Sequence, residues 1–270
     1  AVYDTTNSVL NVNVNNDNLM TSLDYQVGIG AASTAANSVV SADINWTVTG
    51  TSSADSITTG SGADTIVTGN GGDTVDSGAG IDTVTGGTGA DTIDGGTGAD
   101  TITGGDGVDS LTGGAGIDTF TFATGNLTSL DTLTGGDGVD ILTLTDNSTI
   151  ADDDFTLATS IETVSQADAT ETMTIVLGAL ADAAGVVTLT GNGAANDSFT
   201  AGAAFNNALE INVGTGNDTI NATASSSVVT VKTTEAGITA NDDWTGGTGA
   251  ADELVITGDV GTITAAEMAN

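Results

Sequence analysis

Residues 86–121 read GGTGADTID, GGTGADTIT, GGDGVDSLT and GGAGIDTFT, four nonapeptides that follow one another without a gap. The same frame runs back to Gly50 through GTSSADSIT, TGSGADTIV, TGNGGDTVD and SGAGIDTVT. Position six is always aspartate: Asp55, Asp64, Asp73, Asp82, Asp91, Asp100, Asp109 and Asp118. Position eight is always apolar: Ile57, Ile66, Val75, Val84, Ile93, Ile102, Leu111 and Phe120. A short fixed period is the signature of a repeat architecture whose units bury their apolar face only by stacking. The three residues after each aspartate should alternate out, in, out as a short strand. The glycines supply the positive-φ turns and let backbone carbonyls converge. Two nonapeptides then complete one turn, with two faces and a core of two stacked aliphatic columns. The expected fold class is all-β, a parallel β-roll or β-helix solenoid.

Outside this frame the pattern loosens. Residues 1–49 are not repetitive, although Val9–Val14 alternates and Trp46–Val48 reads as a strand; this part is expected to extend or cap the array. After Thr121, fragments of the nonapeptide return. Gly135–Thr143 is a complete copy, GGDGVDILT, with Asp140, and Gly214–Ile220 reads GTGNDTI with Asp218 in the same place. Stretched copies precede Asp197 and Asp252. Strand-like runs recur between them, at Ile141–Thr145, Met173–Leu177, Val186–Thr190, Leu209–Val213, Val228–Val231 and Leu254–Thr257, and Ala179–Ala184 is compatible with one helical turn. Residues 122–270 are therefore expected to continue as a β-solenoid with longer, irregular rungs. The expected organisation is 1–49, 50–121 and 122–270.

Composition limits what such a chain can do. It has 36 acidic residues against one base, Lys232, and no His, Cys or Pro. There is no basic footprint for nucleic acid or for anionic lipid, and no apolar run long enough to insert into a membrane as a helix. Without His or Cys no Ser–His or Cys–His nucleophile is possible. A paired-carboxylate glycosidase lacks a sugar platform, since Tyr3, Tyr25, Trp46 and Trp244 are scattered, and Asp152–Asp154 reads as a solvated turn. Phosphate binding fails because each Gly-rich loop carries Asp and no Lys. The chain is not expected to be an enzyme. Residues 1–20 carry no secretory leader pattern, and a start at Ala1 suggests a processed product or a piece of something longer.

A formal charge of −35 opposes compaction unless counter-ions bind. Strands stack about 4.8 Å apart, so aspartates of successive turns repel by about 3 kcal/mol per pair at an effective dielectric near 20. Burying one Ile or Val returns only about 1.5–3 kcal/mol. A cation site held at a hundred times its dissociation constant adds about 2.7 kcal/mol. Cations decide the balance.

The frame G-G-x-G-x-D-x-U-x resembles the RTX (repeats-in-toxin) calcium-binding β-roll family. The donors present are carboxylates and carbonyls, which suit calcium and argue against zinc or copper. The resemblance implies several Ca2+ ions between loops of the same side, two nonapeptides apart. Asp55, Asp73, Asp91 and Asp109 would form one ladder, and Asp64, Asp82, Asp100 and Asp118 the other, with carbonyls near Gly86, Gly95, Gly104 and Gly113 completing the shells. Asp140 and Asp218 are further candidates. Thr59, Thr68 and Ser77 replace the first glycine, so weaker binding is expected in the first turns, and Asp55 is the least secure because Ser53 replaces a glycine. The resemblance further implies a secreted, extracellular protein exported by type I secretion, although no C-terminal secretion signal is identified before Asn270. FTLATSIETV at Phe155–Val164 is similar to linker text of bacterial surface-layer and giant adhesin proteins. The expectation is a cell-surface structural protein, a surface-layer subunit ahead of an adhesin segment, self-associating in a lattice or filament through bridging calcium. The alternative is the calcium-binding accessory domain of a secreted enzyme or toxin. A Thr-x-Thr ladder at Thr83/Thr85, Thr101/Thr103 and Thr119/Thr121 also raises ice binding, as a lesser alternative.

Overall fold

The computed structural model describes residues 45–257 apart from 124, 169, 192, 235–241 and 247–251, preceded by four short strands at 2–4, 9–11, 25–28 and 37–38. The expected alternation at Val12–Val14 and most of the proposed cap lie outside the described residues. Except for the antiparallel pair Val2–Asp4 and Val9–Asn11, every described strand pairing is parallel. No helix among the described residues is long and apolar enough to cross a membrane.

The chain divides into two compact units, Ala1–Thr121 with Thr132–Gly138, and Phe122–Asp131 with Val139–Asn270. In the first, each nonapeptide contributes a strand and two nonapeptides complete a rung. Thr65–Asn70, Thr83–Thr88 and Thr101–Asp106 stack in one sheet, with Ile66 beside Val84 and Val84 beside Ile102. Thr74–Asp76, Thr92–Thr97 and Ser110–Ala115 stack in the other, with Val75, Ile93 and Leu111 in line. These side chains are buried to 2% exposure or less, whereas Thr65, Thr83, Thr92 and Thr101 between the inward positions face solvent. The out, in, out reading of the residues after each aspartate describes these strands.

One inward residue per nonapeptide makes a thin core, and the rungs close over it only because the turns are tight. Gly89 has φ +127°, a left-handed conformation that costs a side-chain-bearing residue, and a Cβ there would overlap the carbonyl of Gly71 one rung away. The outward threonines stack in register, Thr65 on Thr83, Thr101 and Thr119.

The second unit is itself a stack of parallel strands, with longer rungs. Hydrogen bonds that step 18 residues in the first unit step 21 between Asp197 and Asp218 and 24 between Asp218 and Asp242. Leu142, Val164, Leu189, Ile211 and Val231 form one inner column. Ile150, Ile175, Phe199 and Ile220 form another. Among the extra residues, Ala179–Ala184 is a short helix that buries Ala181 and Ala184 and is closed by Gly185 at φ +105°. The Asp152–Asp154 run is not the solvated turn its composition suggests. It lies in a 3-10 turn, Asp152–Phe155, where Asp152 accepts N–H bonds from Gly178 and Ala181 at 2.8 and 2.9 Å and Asp154 accepts that of Ala151 at 3.0 Å. Only Asp153 is exposed.

Candidate metal centre

The aspartates at position six do not point to solvent. Asp64, Asp73, Asp82, Asp91, Asp100, Asp109 and Asp118 are each 2% exposed or less. Each carboxylate is fixed by the backbone of the rung before it. The Asp64 N–H donates to Asp82 Oδ1 at 2.7 Å, Asp82 to Asp100 Oδ1 at 2.8 Å and Asp100 to Asp118 Oδ1 at 2.8 Å. On the other face Asp55 donates to Asp73, Asp73 to Asp91 and Asp91 to Asp109, at 2.7, 2.8 and 2.9 Å. Two hydrogen-bonded ladders run down the first unit, with the members that the family resemblance implied.

This bond uses Oδ1 alone. The Oδ2 atoms of Asp64, Asp73, Asp82, Asp91 and Asp100 are buried and have no hydrogen-bond partner. A buried carboxylate oxygen left unsatisfied is costly, and stacked like charges add to the cost. Burial, opposed by the Asp64 N–H bond and reinforced by the Asp64 charge, pushes the Asp82 carboxyl up to about 6. Asp100 is likewise pushed up to about 6, mainly by burial, with the charges of Asp82, Asp118 and Asp94 adding to it. Asp64, Asp91 and Asp118 are raised by the same burial. The protein supplies no counter-charge. Its single basic side chain, Lys232, pairs with Glu210 at 2.5 Å.

What the Oδ2 atoms face is a space that glycine keeps open. A Cβ on Gly95 would sit 2.8 Å from Asp100 Oδ2 and 2.8 Å from the Gly113 carbonyl oxygen. A Cβ on Gly86 would meet Asp91 Oδ2 and, at 2.5 Å, the Gly104 carbonyl; Gly113 stands in the same relation to Asp118 Oδ2 and the Gly135 carbonyl. Among the described residues no three acidic side chains gather at one point. The donors each space shows are one carboxylate oxygen and one backbone carbonyl, both hard oxygen. Such a set fits calcium, which takes six to eight oxygens at about 2.3–2.6 Å in flexible geometry. Asp91, Asp100, Asp109 and Asp118, with the carbonyls of Gly104 and Gly113, are the residues that would hold it. There it would supply the positive charge the ladders lack.

The remaining candidates divide. Gly86 and Gly95 carbonyls face hydroxyls instead, accepting from Thr68 Oγ1 at 2.6 Å and Ser77 Oγ at 2.9 Å. Asp55 accepts the Thr51 N–H and hydroxyl on Oδ2, at 2.6 and 3.1 Å. In the second unit, the Asp140 N–H donates to Glu162 Oε2 at 2.8 Å, so a glutamate occupies the ladder place there. Asp218 is fully buried, pushed up to about 6 chiefly by burial, and its Oδ2 has no partner. Five residues before it stands buried Val213 rather than glycine.

The structure joins Asp197, read above from a stretched copy, to Asp218 in a ladder and adds Asp242, which the nonapeptide frame passes over. Met173 N–H donates to Asp197 Oδ1, Asp197 to Asp218 and Asp218 to Asp242, at 2.8, 2.9 and 2.8 Å. Asp131 is also buried, accepting the Thr128 N–H at 2.7 Å. The signal they share is the second half of the repeat, Asp-x-apolar-x: Asp131–Thr134 (DTLT), Asp197–Thr200 (DSFT) and Asp242–Thr245 (DDWT).

Residues 49–84, 85–120 and 129–146 match the family model described as the RTX calcium-binding nonapeptide repeat, in four copies. No curated protein and no solved structure matches the chain.

Proposed function

We propose that this chain, whose repeat array belongs to the RTX calcium-binding nonapeptide family, is a calcium-dependent structural protein of a bacterial cell surface. The observation that carries the reading is the row of buried Oδ2 atoms at Asp91 and Asp100, without hydrogen-bond partners and beside glycine-walled spaces that carbonyls also face. Calcium sites of extracellular modules have dissociation constants of about 10⁻⁴–10⁻³ M. They stay empty inside a cell and fill outside it, so the chain leaves the cell unfolded and folds in the medium. Lys232 is the sole base on a surface of acids. Contacts between two copies therefore require bridging cations, which favours a surface layer or filament held by calcium.

The test is electron microscopy of the native cell surface with and without chelator. A lattice shed on chelation supports the reading, and a surface unchanged by chelator refutes the layer. An accessory domain of a secreted enzyme or toxin is the competing assignment, and a protease or lipase domain in the neighbouring sequence would establish it. Ice binding is disfavoured by exposed Val67, which interrupts the outer threonine row, and by exposed Asp76 and Asp94 on the opposite face. Thermal hysteresis with calcium present would revive it.

A further inference from the structure

The eight nonapeptides are not equivalent, and the difference lies where the cation would sit. In the last four, 86–121, the first position is glycine, and its missing side chain keeps the space between carboxylate and carbonyl open. In the three nonapeptides before them that position holds Thr59, Thr68 and Ser77. Their hydroxyls donate to the carbonyls that correspond to Gly104 and Gly113: Thr59 Oγ1 to Ser77 O at 2.7 Å, Thr68 Oγ1 to Gly86 O at 2.6 Å, and Ser77 Oγ to Gly95 O at 2.9 Å. A hydroxyl has one proton to donate, and here the carbonyl takes it. Thr59 and Ser77 also face the carboxyls of Asp64 and Asp82.

We infer that Thr59, Thr68 and Ser77 close their own cation sites, each filling the space with its Cβ and hydroxyl and occupying the carbonyl, so that calcium binds the array only from Gly86 onward. Asp55, one nonapeptide earlier, is closed by Thr51. The array is thus two halves with one backbone. In residues 50–85 the hydroxyls of Thr59, Thr68 and Ser77 link one rung to the next and Thr51 closes on Asp55 within its own turn, and 86–121 wait for ions. Aspartate burial does not separate the halves, since Asp64, Asp73 and Asp82 are as buried as Asp91 and Asp100. From Thr59 onward the first-position residue does; the first nonapeptide begins with Gly50, and there Thr51 takes the Asp55 Oδ2 instead. The closed half keeps carboxylates that no ion neutralises, so its rungs depend on the ion-loaded half to stay stacked.

The inference rests on the calcium reading above, and one experiment separates the two. Calcium-titration calorimetry on the full chain counts ions for the wild type and for the Thr59→Gly/Thr68→Gly/Ser77→Gly variant. The variant should bind one more ion for each hydroxyl removed. An unchanged count overturns the inference, as does a lower one, which would make the hydroxyls ligands. Should the triple variant fail to fold even with calcium, Gly95→Ser provides the reverse test, with one ion lost expected and an unchanged count refuting. A wild-type chain that binds no calcium would sink the calcium reading itself.

Discussion

Replacing Asp100 by Asn changes one charge and very little else. The amide Oδ1 of the variant still accepts the Asp82 N–H now held at 2.8 Å, and the backbone N–H at position 100 still reaches Asp118. What disappears is the unpartnered Oδ2 facing the Gly113 carbonyl; an NH2 group, which cannot ligate a cation, takes its place. Losing one ion at a hundred times its dissociation constant removes about 2.7 kcal/mol. If the ions at Asp91, Asp109 and Asp118 share that deficit, each must supply about 0.9 kcal/mol more, and the calcium midpoint of folding rises about fivefold. In chelator the sign reverses. The variant no longer repels Asp82 and Asp118, a relief of about 1–3 kcal/mol per neighbour at roughly 5 Å, depending on the effective dielectric. Circular dichroism during calcium titration reads both effects. Exposed Asp153→Asn serves as the control and should leave the midpoint where it is. An Asp153 shift as large as that of Asp100 would refute the site assignment, and so would an Asp100 variant with an unchanged midpoint.

Chelator alone should leave the wild-type chain largely without β structure, and millimolar calcium should restore it; equal β signal under both conditions contradicts the charge argument. Acid should partly replace calcium. The folded carboxyls of Asp82, Asp100 and Asp218 sit at about 6, above the ordinary value of 3.8, so the stability they contribute is full below the ordinary value and lost as pH rises through 6. In chelator the β signal should therefore grow as pH falls from about 7 to about 5, and a signal that falls instead refutes the burial of these groups. Ile102→Ala removes a fully buried side chain between Val84 and Phe120 and should cost about 2–5 kcal/mol, read as a higher calcium midpoint; an unchanged midpoint would mean that the aliphatic column does not support the rungs.

How far the sequence discloses this fold depends on what each residue must do. Position eight is legible in each unit, because a column one residue wide admits only apolar side chains, as from Ile57 to Leu111 in the first and at Leu142, Phe199 and Ile220 in the second. The aspartate ladders are legible where the period is strict, and the pairing of Asp64 with Asp82 and Asp100 follows from a rung of two nonapeptides. Rung lengths in the second unit are not legible. Insertions such as the short helix Ala179–Ala184 lengthen the rungs, and nothing in their composition sets how many residues separate one Asp from the next. Asp131 and Asp242 escape a search for glycine-rich turns because one glycine alone precedes each, Gly125 and Gly237, while the backbone bond from the neighbouring rung to the Asp242 carboxylate persists.

That persistence gives the two halves of the nonapeptide separate tasks. The Asp-x-apolar-x half builds the rung: its carboxylate Oδ1 receives an N–H from the neighbouring rung, and its apolar residue enters the column, as Asp218 and Ile220 do without a glycine at the first position. The glycine half decides what the second carboxylate oxygen meets. With glycine at Gly95 it meets an open space shared with a carbonyl; with Ser77 it meets a hydroxyl whose proton is already committed. Substitutions in the glycine half should therefore alter ion count before they alter architecture. Those at the aspartate or the apolar residue should alter both, because the same carboxylate ties the rungs together and faces the ion.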